Sequence, residues 1–256
     1  MEIIKPGELQ FLKALVFGPP GQGKTTLLGT AQADARMAPM LLLDFEGGMG
    51  SLAGLDIHVA PIRSWEDFDE VYENLAEGNE VGGVDYSAFK SVGIDSITEV
   101  HIFALLDILD KQGKERKDPE LLEQRDYGKA SVQMRRLLRA FRDLPVHVVF
   151  TALSKEVEKP RRGKVQVPML SGQMAEEAPG LMDVVGYLAL TEDDDGEQMR
   201  TLLLKNYPKF EIKARTPWGE AIGDELDDPT LGELLDLLGY PPAGGKKKST
   251  KKKTKE

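Results

Sequence analysis

Cysteine is absent from this 256-residue chain. That excludes disulfides, thiolate metal sites and cysteine nucleophiles, and it fits a cytoplasmic setting. Histidine is scarce. His58, His101 and His147 are scattered without metal-ligand spacing, so each reads as structural. No apolar run approaches the roughly 20 residues that span a bilayer. The opening stretch MEIIKPGELQ lacks the basic-then-apolar order of a secretory signal. The expectation is a cytoplasmic protein with no membrane partner. No internal repeat is visible. Positive charge is also in short supply, with a net charge of −10. Residues 246–256, KKKSTKKKTKE, hold a net +6, which leaves −16 on the other 245 residues. So acidic a body is a poor non-specific ligand for nucleic acid, because phosphate contacts need Lys and Arg. Local patches or the tail must supply any such contact. The tail reads as disordered, serving solubility or salt-sensitive binding.

What is present is ordinary for a soluble globular protein: 41% hydrophobic and 30% charged residues. One domain over residues 1–240 and a Lys-rich tail over 241–256 are expected. FLKALVF (11–17), MLLLD (40–44), KSVGID (90–95) and VHVVFTAL (146–153) read as buried strands. Residues 24–34 have helix-forming character. SWEDFDEVYENLAEG (64–78) reads as a surface helix with Ser64 as its N-cap and acids in its first turn. ITEVHIFALLDILDK (97–111) and residues 119–143 read as further helices. Strands alternating with helices predict an α/β fold with a mainly parallel central sheet flanked by helices. Past residue 154 the pattern changes. KEVEKPRRGKVQVP (155–168) reads as a polar loop or hairpin. VVGYLAL (184–190) and MRTLLL (199–204) read as an antiparallel hairpin turning at Asp195-Gly196, and LGELLDLLG (231–239) as a short terminal helix.

GPPGQGKT, Gly18 to Thr25, fits G-x-x-x-x-G-K-[ST] without a mismatch, between an expected strand and an expected helix. Gly18, Pro19, Pro20, Gly21, Gln22, Gly23, Lys24, Thr25 and Thr26 are therefore the candidate phosphate-binding residues. The glycines let backbone N–H groups face phosphate oxygens, and the helix start favours negative charge. Lys24 is expected to reach the β- and γ-phosphates, and Thr25 to ligate Mg²⁺. ATP and Mg²⁺ are the cofactors implied. A P-loop also needs an acid for the metal, usually at the end of a neighbouring strand, and SVGIDS supplies Asp95. The other reading of Asp95 is a helix cap. Hydrolysis needs a group that orients or activates water. MLLLDFEGG ends in Asp44 and Glu46. If its strand lies beside that of Asp95, Glu46 can point at the γ-phosphate, with Gly47 and Gly48 turning the chain away. Otherwise the two acids merely cap a strand end. Asp44 is expected to face the other way and to matter less.

Together these residues resemble the RecA-type ATPase core, and more closely the small phage-encoded RecA-core ATPases of single-strand annealing and recombination. The P-loop, D-x-E-G-G at Asp44–Gly48, D-S-[IL]-T at Asp95–Thr98 and D-Y-G at Asp126–Gly128 carry the resemblance, over about residues 10–216. It implies a RecA-like P-loop NTPase fold with a C-terminal antiparallel hairpin. It also implies Mg-dependent ATP hydrolysis with Glu46 as catalytic residue, and single-stranded DNA as partner. A homo-oligomer is implied too, with a single-strand-binding protein as a further partner and the host cytoplasm as the setting. KAR places Lys213 and Arg215 where RadA-like and KaiC-like relatives carry a Lys-x-Arg pair that reaches a neighbouring subunit's nucleotide; an exposed basic strand edge is the alternative. Two features depart from the pattern. The end of the fourth strand offers Thr151 and Ser154 in place of the usual Gln, His or Asn switch. Only about ten residues precede the first strand, so the N-terminal polymerisation domain of full RecA is not expected. The other readings are a nucleotide-switched protein-binding module and a replicative helicase or its loader. Ser96 after Asp95 argues against the loader, because many AAA+ ATPases have a glutamate there. A small-molecule kinase would need an arginine-rich lid, which is not seen.

For DNA, residues 155–168 hold five Lys/Arg against two acids. Arg161, Arg162 and Lys164 around Gly163 form the densest patch, placed where RecA-like proteins carry a DNA-binding loop. No aromatic lies among them for base stacking. A solvated hairpin tip explains the charges equally. Arg135, Arg139 and Arg142 share a helix face turned to solvent or to a neighbouring subunit. Tyr207 and Trp218 read as packing or interface residues rather than adenine stackers.

Overall fold

A computed structural model describes residues 11–112, 122–192, 196–216 and 222–243. Asp195, Trp218, the first ten residues and the lysine tail fall outside these. The elements in chain order are β1 (Lys13–Gly18), α1 (Lys24–Gly29), β2 (Met40–Asp44), β3 (His58–Pro61), α2 (Trp65–Glu77), β4 (Glu80–Val81), β5 (Val84–Asp85), β6 (Ser91–Asp95), α3 (Ile97–Gln112) and α4 (Gln124–Asp143). They continue with β7 (His147–Lys159), β8 (Gly163–Pro168), α5 (Met174–Leu181), β9 (Val184–Glu192), β10 (Gln198–Leu203), β11 (Lys213–Ala214), β12 (Glu225–Asp227) and α6 (Leu231–Leu237).

The sheet runs β12-β10-β9-β1-β7-β6-β2-β3. From β3 to β9 every pairing is parallel, and β10 and β12 add an antiparallel edge. The antiparallel β9–β10 hairpin expected from the sequence is in place. All six residues of β1 are buried, as a strand covered on both faces requires. Alternation sorts its side chains. Leu15 and Phe17 join the core under α2–α5, while Ala14 and Val16 join the core under α1 and α6. One expectation needs correcting. The Asp95 strand does not neighbour the P-loop strand, because β7 lies between them. Asp95 still reaches the P-loop, across the C-terminal ends of the strands.

Ser64 caps α2 as its sequence demands: its hydroxyl accepts from Asp67 N at 3.1 Å, and the Asp67 carboxylate accepts from Ser64 N at 3.0 Å. Asp126 closes a similar box, accepting from Glu123 N at 2.8 Å, and so begins α4. The helix expected over 24–34 stops at Gly29 and passes into a 3₁₀ turn over Thr30–Ala33. There the Thr30 hydroxyl donates back to Leu27 O at 2.6 Å, a competition that shortens helices. β3 escaped notice because it is a short, half-exposed strand at the sheet's edge, ending in proline. α5 was hidden by Pro179 within it. β7 runs on to Lys159 as one arm of a ribbon with β8, so residues 155–168 form a hairpin.

His147 is buried at the N-terminal edge of the sheet, where Nδ1 accepts from Leu12 N at 2.9 Å. Burial, then the charges of Lys13 and Arg36, push its pKa down to about 4 from the usual 6.5. The folded state thus holds the ring neutral, while the unfolded chain takes up a proton below about pH 6.5. Stability is fully present above that pH and is lost as pH falls from about 6.5 towards about 4. Between pH 7 and pH 5, denaturant unfolding of the wild type should lose about 2 kcal/mol more than that of the His147→Asn variant. Equal losses would mean that the ring is not held neutral.

Candidate active site

The P-loop leaves β1 at Gly18 and enters α1 at Lys24. Gly18 sits so close to β9 that a Cβ there would lie 2.3 Å from Leu188 O. Gly23 has φ +84° as the helix cap, a conformation that side chains resist. Gln22 Oε1 accepts from Leu190 N at 2.7 Å, which ties the loop to β9. Lys24 folds back over the loop, and its Nζ donates to Pro19 O at 2.7 Å and Gly18 O at 3.2 Å. Burial lowers the Lys24 pKa, opposed by the charges of Asp95 and Glu46. The ammonium is therefore a buried cation that feels the charge of two acids and is held by two loop carbonyls.

Asp95 is the hub. It is buried at the end of β6, and its Oδ2 accepts from Thr25 Oγ1 at 2.5 Å. Its Oδ1 accepts from the hydroxyl of Thr151 on the intervening β7. Thr25 and Asp95 thus present a hydroxyl and a carboxylate at one point. These are hard oxygen donors that suit Mg²⁺, which commonly completes its shell with phosphate oxygens and water. Among the described residues no three His, Asp or Glu side chains converge on a metal site.

Glu46 arrives from the other side. β2 pairs with β6 so that Asp44 stands opposite Asp95, and Phe45 N donates to Asp95 O at 2.9 Å. The side chain of Glu46 is exposed, and Oε1 accepts from Ser96 Oγ at 2.5 Å. Its charge is felt by Lys24 and by Glu99, whose pKa is raised first by burial and then by Glu46. Asp44 plays a different part. It is buried, and its Oδ1 accepts from the backbone N–H groups of Glu46, Gly47 and Gly48 at 3.1, 2.9 and 3.3 Å. Asp44 shapes the turn that presents Glu46. The condition set by the sequence, that the two strands be neighbours, is met.

Residues 10–216 match the profile of an AAA domain family, AAA_24. The chain belongs to this AAA domain family. The matched span begins just before β1 and ends just past β11, so it takes in the P-loop, Glu46, Asp95 and Lys213–Arg215 together. No curated protein matches the chain. Among solved structures, the RadB recombinase is similar at 16% identity, covering 85% of this chain and 87% of that one, with a TM-score of 0.43.

Other candidate residues of this AAA domain lie apart from the P-loop. β11 pairs with the start of β9, Lys213 opposite Val185 and Ala214 opposite Val184, level with Ala14 and Leu15 of β1. Lys213 is thus level with the middle of β1, whereas Arg215, whose N–H donates to Asp183 O at 3.0 Å, lies at the end of the strands away from the P-loop. Lys213 donates to Gly180 O at 3.4 Å, and its pKa is lowered by burial and by Arg215. In the β7–β8 hairpin, Arg162 is occupied. It donates to Pro208 O at 2.8 Å, Phe210 O at 3.0 Å and Glu211 at 2.9 Å, clamping the tip onto that segment. Lys164 pairs with Glu156 at 2.8 Å. Arg161, with φ +67°, projects at the exposed tip.

Arg135 makes a bidentate pair with Glu177 at 2.6 and 2.9 Å, and Arg142 pairs with Asp143, which accounts for much of that helix's charge within the chain. Tyr207 donates its hydroxyl to Glu225, which pushes its pKa up to about 12. Sequence reading missed the bond of Ser96 to Glu46 and the partnership of Thr151 with Asp95. A hydroxyl in a buried strand carries no local mark of the acid it will meet. Among the described residues no helix is long and apolar enough to cross a membrane.

Proposed function

We propose that this chain binds ATP with Mg²⁺, hydrolyses it, and acts on single-stranded DNA in recombination or strand annealing, as an oligomer. The convergence of Lys24, Thr25, Asp95 and Glu46 carries the first part. Thr25 and Asp95 would hold the metal, whose charge would offset that of the phosphates. Lys24 would leave its loop carbonyls for the phosphates. Glu46, aimed by Ser96 and by the Asp44 turn, would orient and deprotonate the attacking water.

The DNA part is supported by β7. It runs unbroken from Thr151, bonded to Asp95, to Lys159, two residues before Arg161 at the hairpin tip. A strand of that length spans about 25 Å, so nucleotide state and hairpin position share one rigid element. Arg215 lies towards the end of the strands away from its own P-loop, and Lys213 at mid-strand bonds Gly180 O on that side. Their contribution to hydrolysis would be to a neighbouring subunit's site, where a cation stabilises transition-state charge. One observation favours the alternative, a nucleotide-switched module that recruits a protein: Ile102 and Leu106, one turn apart on α3, are 44% and 52% exposed.

The deciding experiment measures ATP turnover across protein concentration, with and without single-stranded DNA. Specific activity should rise with concentration and rise further with DNA. Arg215→Ala should lower turnover and leave ATP affinity intact. Arg161→Ala with Lys164→Ala should weaken DNA binding and flatten its salt dependence while ATP still binds. Nucleotide binding with turnover indifferent to DNA would favour the switched module.

A further inference from the structure

Arg200 belongs to β10, an edge strand read only as half of a hairpin, yet its side chain lies on the P-loop. A Cβ built on Gly23 would stand 3.1 Å from Arg200 Cδ and 3.5 Å from Nη1, with Thr26 Cβ at 3.9 Å. The guanidinium therefore touches the turn that carries Lys24. Its ion partner is Asp228, with Nε to Oδ1 at 3.6 Å, longer than a hydrogen bond. The two side chains are 29% and 67% exposed, so the pair is loose and open to solvent. Asp228 is set in place by its own backbone, whose N–H donates to Arg200 O at 2.6 Å. Thr201, next along β10, holds the adjacent Asp227 at 3.0 Å. An arginine thus stands beside an anion cradle with a weak, replaceable partner.

The sheet order indicates which end of a nucleotide this arginine meets. Asp95 and Glu46 come from β6 and β2, beyond β7 on one side of β1, whereas Arg200 comes from β10, beyond β9 on the other. In a P-loop the lysine and the metal residues mark the β/γ-phosphate end. The α-phosphate and the nucleoside are left for the opposite side, and exposed Thr26 lies there with Arg200. We propose that Arg200 is a further nucleotide-binding residue, which exchanges Asp228 for the α-phosphate of a bound nucleoside di- or triphosphate. A guanidinium suits the task, because its planar fork can donate two parallel hydrogen bonds to phosphate oxygens. This rests on the P-loop reading above and extends it. The antiparallel edge of the sheet becomes part of the nucleotide site, and Asp228 becomes a competitor that tunes affinity.

Calorimetric titration with Mg·ATP and Mg·ADP tests it on the full chain. Arg200→Ala should weaken both nucleotides by the same factor, about tenfold, because both carry the α-phosphate. Arg200→Lys should recover part of the loss. Asp228→Asn should tighten both about threefold by freeing the guanidinium, and this gain should vanish in the Arg200→Ala background. Loss confined to ATP would assign Arg200 to the γ-phosphate and overturn the proposal. Unchanged affinities would reduce the pair to a surface ion pair, and an Asp228→Asn gain that persists without Arg200 would also overturn it. Lys24→Ala keeps the two readings apart. If the wild type binds neither nucleotide, or Lys24→Ala leaves binding unchanged, the P-loop reading itself falls. If Lys24→Ala abolishes binding and Arg200→Ala does nothing, only the Arg200 proposal falls.

Discussion

Lys24→Ala should abolish ATP turnover and weaken nucleotide binding by about a hundredfold, the effect of removing charge-assisted hydrogen bonds to the β- and γ-phosphates. The ammonium is the cation at the mouth of the loop, and its own partners are two loop carbonyls rather than a core acid. Its removal strips the binding site and leaves the fold standing. Leu27 and Leu28 still anchor α1 in the core, and the helix keeps its bond from Leu27 N to Gly23 O at 2.9 Å. The check is turnover and equilibrium binding on a variant whose thermal unfolding matches the wild type. Turnover near the wild-type rate in a folded variant would refute the nucleotide site.

Glu46→Gln should split the two functions that Lys24 joins. The amide keeps the length of the side chain, and its oxygen still accepts from Ser96. It cannot take a proton from water. ATP affinity should stay within about threefold, while turnover falls about 100- to 1000-fold, the range for loss of a general base. Asp44→Asn is the control. The amide oxygen retains an acceptor for the backbone N–H groups of residues 46–48, so turnover should drop by no more than about fivefold. A Glu46→Gln variant that turns over within twofold of wild type would return Glu46 to the status of a strand-end acid. Equal losses in the two variants would mean that the turn, rather than the Glu46 carboxylate, is what matters.

The parts that lie within a few consecutive residues were legible in the sequence. Gly18–Thr25 declared itself because one short loop must supply the positive-φ turns, the N–H cradle and the cation, so its chemistry is written contiguously. Ser64 with Asp67 was likewise a local cap, and the fully buried β1 and β2 followed from their continuous apolar runs. The sheet's neighbours were another matter. That β7 separates β1 from β6, and that β2 aligns Asp44 with Asp95, is set by how six parallel strands and their crossover helices pack as a whole. Glu46 was a candidate base from the sequence; only this registry set it against Ser96. The same holds for the charges. Arg161, Arg162 and Lys164 form a single basic run in the sequence. In the structure Arg162 is bound to the 208–211 segment and Lys164 to Glu156, which leaves Arg161 at the tip. Arg200 was unreadable for the same reason. Its meeting with Gly23 joins residues far apart in the chain, and it depends on β9 lying next to β1 and carrying β10 beside it. A periodic pattern tells a residue which face to bury. Which side chains share that face is decided by tertiary packing.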